Sequence, residues 1–321
     1  MEKLFQKISF GSATLVLILL LGIFTTLFIS AKPAIDEFGF NFISDKRWNQ
    51  EVSLTQTDST SQVATTTQNV EDDEIADEDD MILDEDDEDE ADSKTVFGGL
   101  VPIVGTLLST LIALVFAMPV AMGIAVFLAE IASKNIAKYV GMAIELLAAI
   151  PSIIFGMWGL YYFAPIISDT FGGYQVSLLT AGLVLGVMIL PFMAAVTRDS
   201  MNTTPDVLKE SAYALGATKF EVVKDVIFPY SRVGIIGSII LALGRALGET
   251  MAVAFLIGAV YSLPQTITDP TISIPVAMAV NFGEASGLGE SSLFYLGLIL
   301  FILSFAIISI AKFYFLKRAK I

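Results

Sequence analysis

The sequence runs to 321 residues, is 55% hydrophobic with a mean hydropathy of +0.72, and contains neither cysteine nor histidine. Such hydropathy lies outside the usual soluble range and points to a polytopic membrane protein, while the missing residue types exclude disulfides, thiol nucleophiles, histidine general bases and the common zinc sites. The net charge of −16 belongs to one segment: 18 acidic residues and one basic residue fall within positions 51–94, leaving 16 acidic and 17 basic elsewhere.

A hydrocarbon core about 30 Å thick needs about 20 apolar residues per helix. Six runs qualify, at roughly 8–30, 99–129, 136–164, 176–197, 233–261 and 292–315. The first exceeds a signal-peptide core and lacks a small-x-small cleavage site before Lys32-Pro33, so it reads as a retained span. Thirteen of the 18 Lys and Arg residues fall on one side if the N-terminus is cytoplasmic. Among them are Lys3, Lys134, Arg198, Lys209 and Lys317, so positive charge places both termini inside. The fold class expected is an all-α polytopic membrane protein with six transmembrane helices. Its parts are an N-terminal span (1–30), an external loop (31–98) and a five-helix transmembrane domain (99–321).

The external loop holds an acidic insertion at about 49–95. It is Thr/Ser/Gln-rich first and then carries Glu71-Asp72-Asp73-Glu74 and the run from Asp84 to Glu90. Like charges at that density bury too little apolar surface to order themselves, so a disordered, solvated periplasmic segment is expected. An EF-hand reading fails for want of a glycine at the sixth position; loose divalent-cation binding is the alternative.

The second and third runs are rich in Gly, Ala and Pro, including Pro102, Gly105, Pro119, Pro151 and Gly156. Small residues let membrane helices approach closely and Pro permits kinks. Glu145 falls about 14 Å into the third run at 1.5 Å per residue. A carboxyl at that depth is costly unless it faces a cavity or a partner. Two readings stand, a gating role and a structural hydrogen-bonded carboxyl.

Between the fourth and fifth runs lies the one long cytoplasmic loop, Arg198 to Arg232, with its helical part at about 203–230. Thr204-Pro205-Asp206 reads as a helix start, with Thr as cap and Pro at the first position. Gly216 permits a tight turn, and a second helix is expected over 217–228, ended by Pro229. A projecting helix–Gly–helix suits docking into a partner's groove; lying flat on the membrane is the alternative. Arg245 then falls about 18 Å into the fifth run, with Glu249 four residues on and on the same helical face. Guanidinium geometry matches oxyanions, so an anion path or gate is set against a static internal ion pair.

The loop also carries a family resemblance. Glu210-Ser211-Ala212, three residues, Gly216, nine residues, then Val226-Ile227-Phe228-Pro229 is similar to the E-A-A-x3-G-x9-I-x-L-P loop of ABC-importer permeases. Ser211, Val226 and Phe228 depart mildly, and the spacing is intact. The run from Gly244 to Val253, with Arg245, Glu249, Thr250 and Met251, resembles the signature of phosphate-importer permeases of PstC type. Sulfate and molybdate permeases usually continue with Phe where Thr250 stands, and PstA-type permeases with Ala-Pro where Met251-Ala252 stand. Further matches are the run from Glu145 to Ile153, Leu190-Pro191-Phe192 with Arg198-Asp199, and Phe97-Gly98 leading to Gly105-Thr106. The acidic insertion, after Trp48, is where the family usually has a far shorter link.

The resemblance implies a MetI-like ABC permease fold with cytoplasmic coupling helices, in a multi-pass subunit of the inner membrane. It implies an ATP-driven phosphate importer, with permeases for another oxyanion, sulfate or molybdate, as the nearest alternative. The partners implied are a PstA-type permease, a cytoplasmic ABC ATPase dimer, a periplasmic phosphate-binding protein, inorganic phosphate and the lipid bilayer. Glu210, Ser211, Ala212, Gly216 and Pro229 are implied to form the ATPase coupling loop. Arg245, Glu249, Glu145 and Thr250 are candidates for the translocation pathway or gate. No catalytic residue, metal or cofactor is expected, and the chain lacks a G-x-x-x-x-G-K-[ST] loop of its own. From a different class, an ion-coupled secondary transporter would use Glu145 and Glu249 as proton carriers. An intramembrane hydrolase is disfavoured by the missing histidine and by the lack of two Asp in apolar spans.

Overall fold

The computed structural model describes residues 2–53 and 93–319. The acidic insertion therefore lies outside the described residues except at its two ends. These ends depart from expectation by pairing as a two-stranded sheet, β1 (Trp48–Ser53) with β2 (Ser93–Phe97). The chain divides into two units, one formed by Met1–Trp48 with Phe97–Ile321 and the other by Asn49–Val96.

The first unit is helical. α1 (Glu2–Phe38) keeps its course through Pro33, and the short α2 (Asn41–Ser44) follows. α3 (Leu100–Val126) ends in a π-wound turn, Phe127–Ile131. α4 (Lys134–Ala148) starts at Ser133, whose hydroxyl accepts the N–H of Ile136. Then come α5 (Ser152–Trp158), a second π-wound turn (Gly159–Phe163) and α6 (Ala164–Phe171). α7 (Leu178–Asn202) precedes α8 (Asp206–Ala214) and α9 (Lys219–Glu221). A third π-wound turn (Val222–Ile227) leads into α10 (Phe228–Leu247). α11 (Met251–Ala254), α12 (Ile274–Asn281) and α13 (Leu288–Ala319) complete the unit.

Five stretches are long and apolar enough to cross a membrane, and the bent pair of 134–148 with Ser152–Phe171 makes up to six. Two expected spans are not continuous helices. The third folds by 91° between α4 and α5. Pro151 accounts for the break, because proline excludes helical backbone at the residue before it and cannot donate the next hydrogen bond. Ser152–Phe171 alone runs about 30 Å, enough to cross a hydrocarbon core. The fifth stops at Leu247, re-forms for one turn as α11, and continues as irregular chain to Ser273.

Irregular backbone at membrane depth must be satisfied by protein. Here the N–H groups of Ser177, Leu178 and Leu179 donate to the carbonyls of Leu256, Asp269 and Ile267. Thr271 N donates to Ile257 O and Val260 N to Thr271 O, closing the segment on itself. Asp269 accepts the Thr266 N–H, the Thr266 hydroxyl and the Gln265 N–H.

The core is built around α3 against α7. Gly182 and Gly186, three residues between them, face Ser109 and Ala113 of α3, and all four are buried. A Cβ on Gly182 would lie 2.7 Å from Ile112 Cγ2, and one on Gly186 would lie 2.8 Å from Phe116 Cδ1. Small residues on both faces let the backbones meet, and dispersion then holds the pair where no aqueous hydrophobic effect operates. α7 meets α10 through a buried bond between the Thr197 and Ser238 hydroxyls, 2.8 Å apart. α1 rests on α13, with Phe24 and Phe301 5.7 Å between ring centroids. Trp48 stacks on Tyr261 at 4.9 Å, fixing the chain where β1 begins.

Candidate functional site

The 203–230 segment forms a helical hairpin. Thr204 does not cap α8: Pro205 occupies the cap position and makes no side-chain bond, and the Thr204 hydroxyl is buried without a partner. A proline there fixes the extended backbone that leads into the helix. α8 is amphipathic, yet none of its residues is buried among the described residues. It ends in paired bonds from Gly216 N to Tyr213 O and Ala217 N to Ala212 O, with Gly216 at φ +89°. That is the 5→2 and 6→1 pattern requiring a left-handed residue just past a helix.

Thr218 and Glu221 then cap α9 reciprocally. Pro229 does not end this second helix, contrary to expectation. It lies in the first turn of α10, where the widened turn Val222–Ile227 has already reset the hydrogen-bond ladder, so its missing N–H interrupts little. The helical run from Lys219 to Leu247 is consequently unbroken.

Within the hairpin, Glu210 and Ser211 are exposed, and the Ser211 hydroxyl donates to Val207 O at 2.7 Å. Ala212 and Ala217 turn inward onto a small cluster of Met201, Val222, Val223 and Ile227. Val207, Tyr213, Leu215 and Phe220 are exposed, an apolar set with no cover within the described residues.

Arg245 occupies the last turn of α10, where a cation complements the partial negative charge of the helix end. Its guanidinium carbon lies 4.5 Å over the Phe192 ring of α7. The two residues open on a recess of about 430 Å³ lined also by Ile240, Leu241, Gly244 and Ile308, from α10 and α13. Arg245 is exposed on the single chain.

Glu249 is not its helical neighbour. α10 stops at Leu247, so the four-residue spacing no longer places the two side chains on one face. Among the described residues no ion pair joins them. Glu249 Oε1 instead accepts the N–H of Ala252 at 3.3 Å at the start of α11, a local bond that competes with helix continuation. The Thr250 hydroxyl lies between these parts and points at Gly248 O, 3.4 Å away.

Glu145 is set apart from this group. The bend at Pro151 leaves it on α4, its side chain 62% exposed, with Oε1 3.3 Å from Nη2 of Arg198. Arg198 also binds Asp199 at 2.9 Å, and its Nη1 fills the space that a side chain at Gly141 would need. Arg198 stands six residues beyond Phe192 on α7, so Glu145 sits about 9 Å nearer the hairpin than Arg245 does.

Three participants escape sequence reasoning: Phe192 as the partner of Arg245, Arg198 as the partner of Glu145, and Glu130 as the partner of Lys209. Each contact spans 53 or more positions, beyond any periodicity. The available signal was charge at the ends of apolar runs, which needs a partner but does not say which.

The family model for the binding-protein-dependent transport system inner membrane component matches residues 120–321. A phosphate transport system permease protein PstC of Pasteurella multocida is 38% identical over 339 residues, covering 99% of this chain and 93% of that protein. One of Xylella fastidiosa (strain Temecula1) is 44% identical over 244 residues, 70% of this chain and 75% of that protein. Among solved structures, an inward-facing MetNI methionine ABC transporter aligns at TM-score 0.51 and 21% identity, covering 67% of this chain and 91% of that one. A bacterial alginate ABC transporter aligns at TM-score 0.51 and 16% identity, over 66% and 76%. These two structures share the fold.

Proposed function

The chain belongs to the binding-protein-dependent transport system inner membrane components, and within them to the PstC permeases of phosphate transport systems, and from that membership we propose that it forms the anion path of an ATP-driven phosphate importer. It is a multi-pass membrane protein and a transport subunit; ATP is hydrolysed by a separate protein. The observation that carries the mechanism is the unbroken helical run from Lys219 to Leu247. It begins in the exposed hairpin and ends two residues after Arg245. At 1.5 Å per residue Lys219 and Arg245 lie about 39 Å apart along one continuous helical run.

The hairpin faces the cytoplasm, as the Lys and Arg distribution supports. Its uncovered apolar residues, with Glu210 and Ser211 beside them, suit a groove on the ATPase dimer, and Gly216 sets the angle between its helices. Closure of the ATPases on ATP would push the hairpin and tilt the helix that carries Arg245. Arg245 offers a charge-assisted fork to the anion. Exposure of that arginine on the single chain is costly in a membrane unless a second subunit covers it, which supports a PstA-type permease across the path. A periplasmic phosphate-binding protein delivers inorganic phosphate to the opposite face.

The test is uptake into proteoliposomes containing this chain, the second permease and the ATPase, with the binding protein added outside. Phosphate uptake should follow ATP and exclude sulfate and molybdate. Uptake driven by a proton gradient without the ATPase would establish the secondary-transporter reading instead. Arg245→Gln should raise the apparent KM for phosphate roughly ten- to hundredfold, the loss of about 1.5–3 kcal/mol expected for a hydrogen bond to a charged group. Full uptake by Arg245→Gln in a normally assembled complex would remove Arg245 from the path.

A further inference from the structure

One ion pair belongs neither to the Arg245 recess nor to the exposed side of the hairpin. Glu130 lies in the π-wound turn that ends α3, and Lys209 lies on α8, one residue before Glu210. Lys209 Nζ stands 2.7 Å from Glu130 Oε1, with the two side chains 17% and 9% exposed.

The surroundings of α8 make this contact mechanical. The helix buries none of its own residues. At one end it is joined to α7 by 203–205, and at the other it turns through Gly216. Both junctions are short non-helical links, so α8 meets the rest of the chain through few covalent and side-chain connections. Ala212 and Ala217 touch the adjoining cluster with single methyl groups. Lys209 is the long arm that reaches from α8 to a transmembrane helix. Its partner is nearly dehydrated, so removing either member leaves an uncompensated charge and breaks the contact outright. α3 in turn lies along α7 through Gly182 and Gly186, and α7 carries Phe192 against Arg245.

We propose that Glu130 and Lys209 form a strut that carries the displacement of α8 to α3, so that one push on the hairpin moves two spans together. The Lys219–Leu247 helix transmits one part of the motion, and the strut transmits the other. The two are positioning residues and touch no anion. The inference rests on the reading of the hairpin as the ATPase docking element.

The complete complex in proteoliposomes gives three readouts: ATPase bound per permease, ATP hydrolysed, and phosphate taken up. Glu130→Gln and Lys209→Met should retain bound ATPase while phosphate taken up per ATP falls roughly tenfold, a typical coupling between sites. The exchanged pair Glu130→Lys with Lys209→Glu should restore the ratio. The chain has no cysteine, so Glu130→Cys with Lys209→Cys can be joined by a bifunctional thiosulfonate. Joining should raise the ratio and reduction should lower it again. A wild-type ratio in the single variants overturns the strut, as does a lowered ratio that neither exchange nor joining recovers. Where a single variant does not accumulate, the cysteine pair decides alone, and an unchanged ratio on joining overturns the strut. ATP-independent uptake by the wild-type complex would instead overturn the functional reading, and the strut with it.

Discussion

Arg245 rests on the Phe192 ring at 4.5 Å, and that contact bears on the proposal that this residue takes up and releases an anion. A guanidinium over an aromatic face gains about 0.5–2 kcal/mol depending on desolvation. A hydrogen bond to a charged group gains about 1.5–3 kcal/mol. A passing oxyanion can therefore displace the ring, whereas a buried carboxylate would compete with the cargo for the same fork. Glu249 is kept out of that competition by its bond to Ala252 N. Arg245→Lys tests the fork as distinct from the charge: uptake should fall less than in Arg245→Gln but stay below wild type, since an ammonium is a point charge. Gly216 makes a cleaner case. A Cβ there would meet nothing within 4 Å, so the cost of a side chain is purely that of φ +89°. Gly216→Ala should lose about 1–2 kcal/mol and Gly216→Val more, read as ATPase co-purified per permease. Gly216→Asn, which tolerates the left-handed region, should retain most of it.

At the scale of elements, the breaks carry as much information as the helices. The 91° bend at Pro151 and the stop at Leu247 both fall inside apolar runs that hydropathy alone reads as continuous. Hydropathy reports transfer into lipid, not backbone continuity, so it marks the runs that can cross and not where their helices break. Pro151 announced its break through its own chemistry. The stop after Leu247 had a weaker sign in Gly248 and depends on backbone partners from 177–179 and 267–271, which no local pattern reveals. The Gly216 turn and the hairpin spacing were legible because cap chemistry is local. Pro229 was misread because the widened turn before it answers to tertiary packing. Where packing is tight, a prediction follows. Gly182→Ala should drive its methyl into Ile112 and destabilise the α3–α7 contact by about 1–3 kcal/mol, the usual cost of overpacking. Ile112→Ala should relieve it, so the double variant should melt closer to wild type than Gly182→Ala alone, in detergent thermal unfolding.

For the whole molecule the question is charge. The strongly negative sum describes positions 51–94, whereas the remainder is nearly neutral, and the unit boundaries at Trp48 and Phe97 fall beside that division. Arg245 lies in the other unit, within which Trp48 stacks on Tyr261 and stands edge-on to Phe97 at 5.3 Å. β1 and β2 bring the two ends of the insertion side by side, so a short turn can replace what lies between them. Deleting 54–92 and joining Ser53 to Ser93 through Asn-Gly removes nearly all of the excess acid and keeps both strands. If the insertion is a solvated spacer, uptake in the complete complex should stay within about twofold of wild type at physiological salt, where the Debye length is about 8 Å. At low salt the deletion should speed uptake, because a polyanionic segment repels the anion that the transporter must capture. The expected pattern is thus a rate difference that grows as salt is diluted and vanishes as it is raised. A loss of uptake at every salt concentration would show instead that the segment takes part in capture of phosphate or of its binding protein.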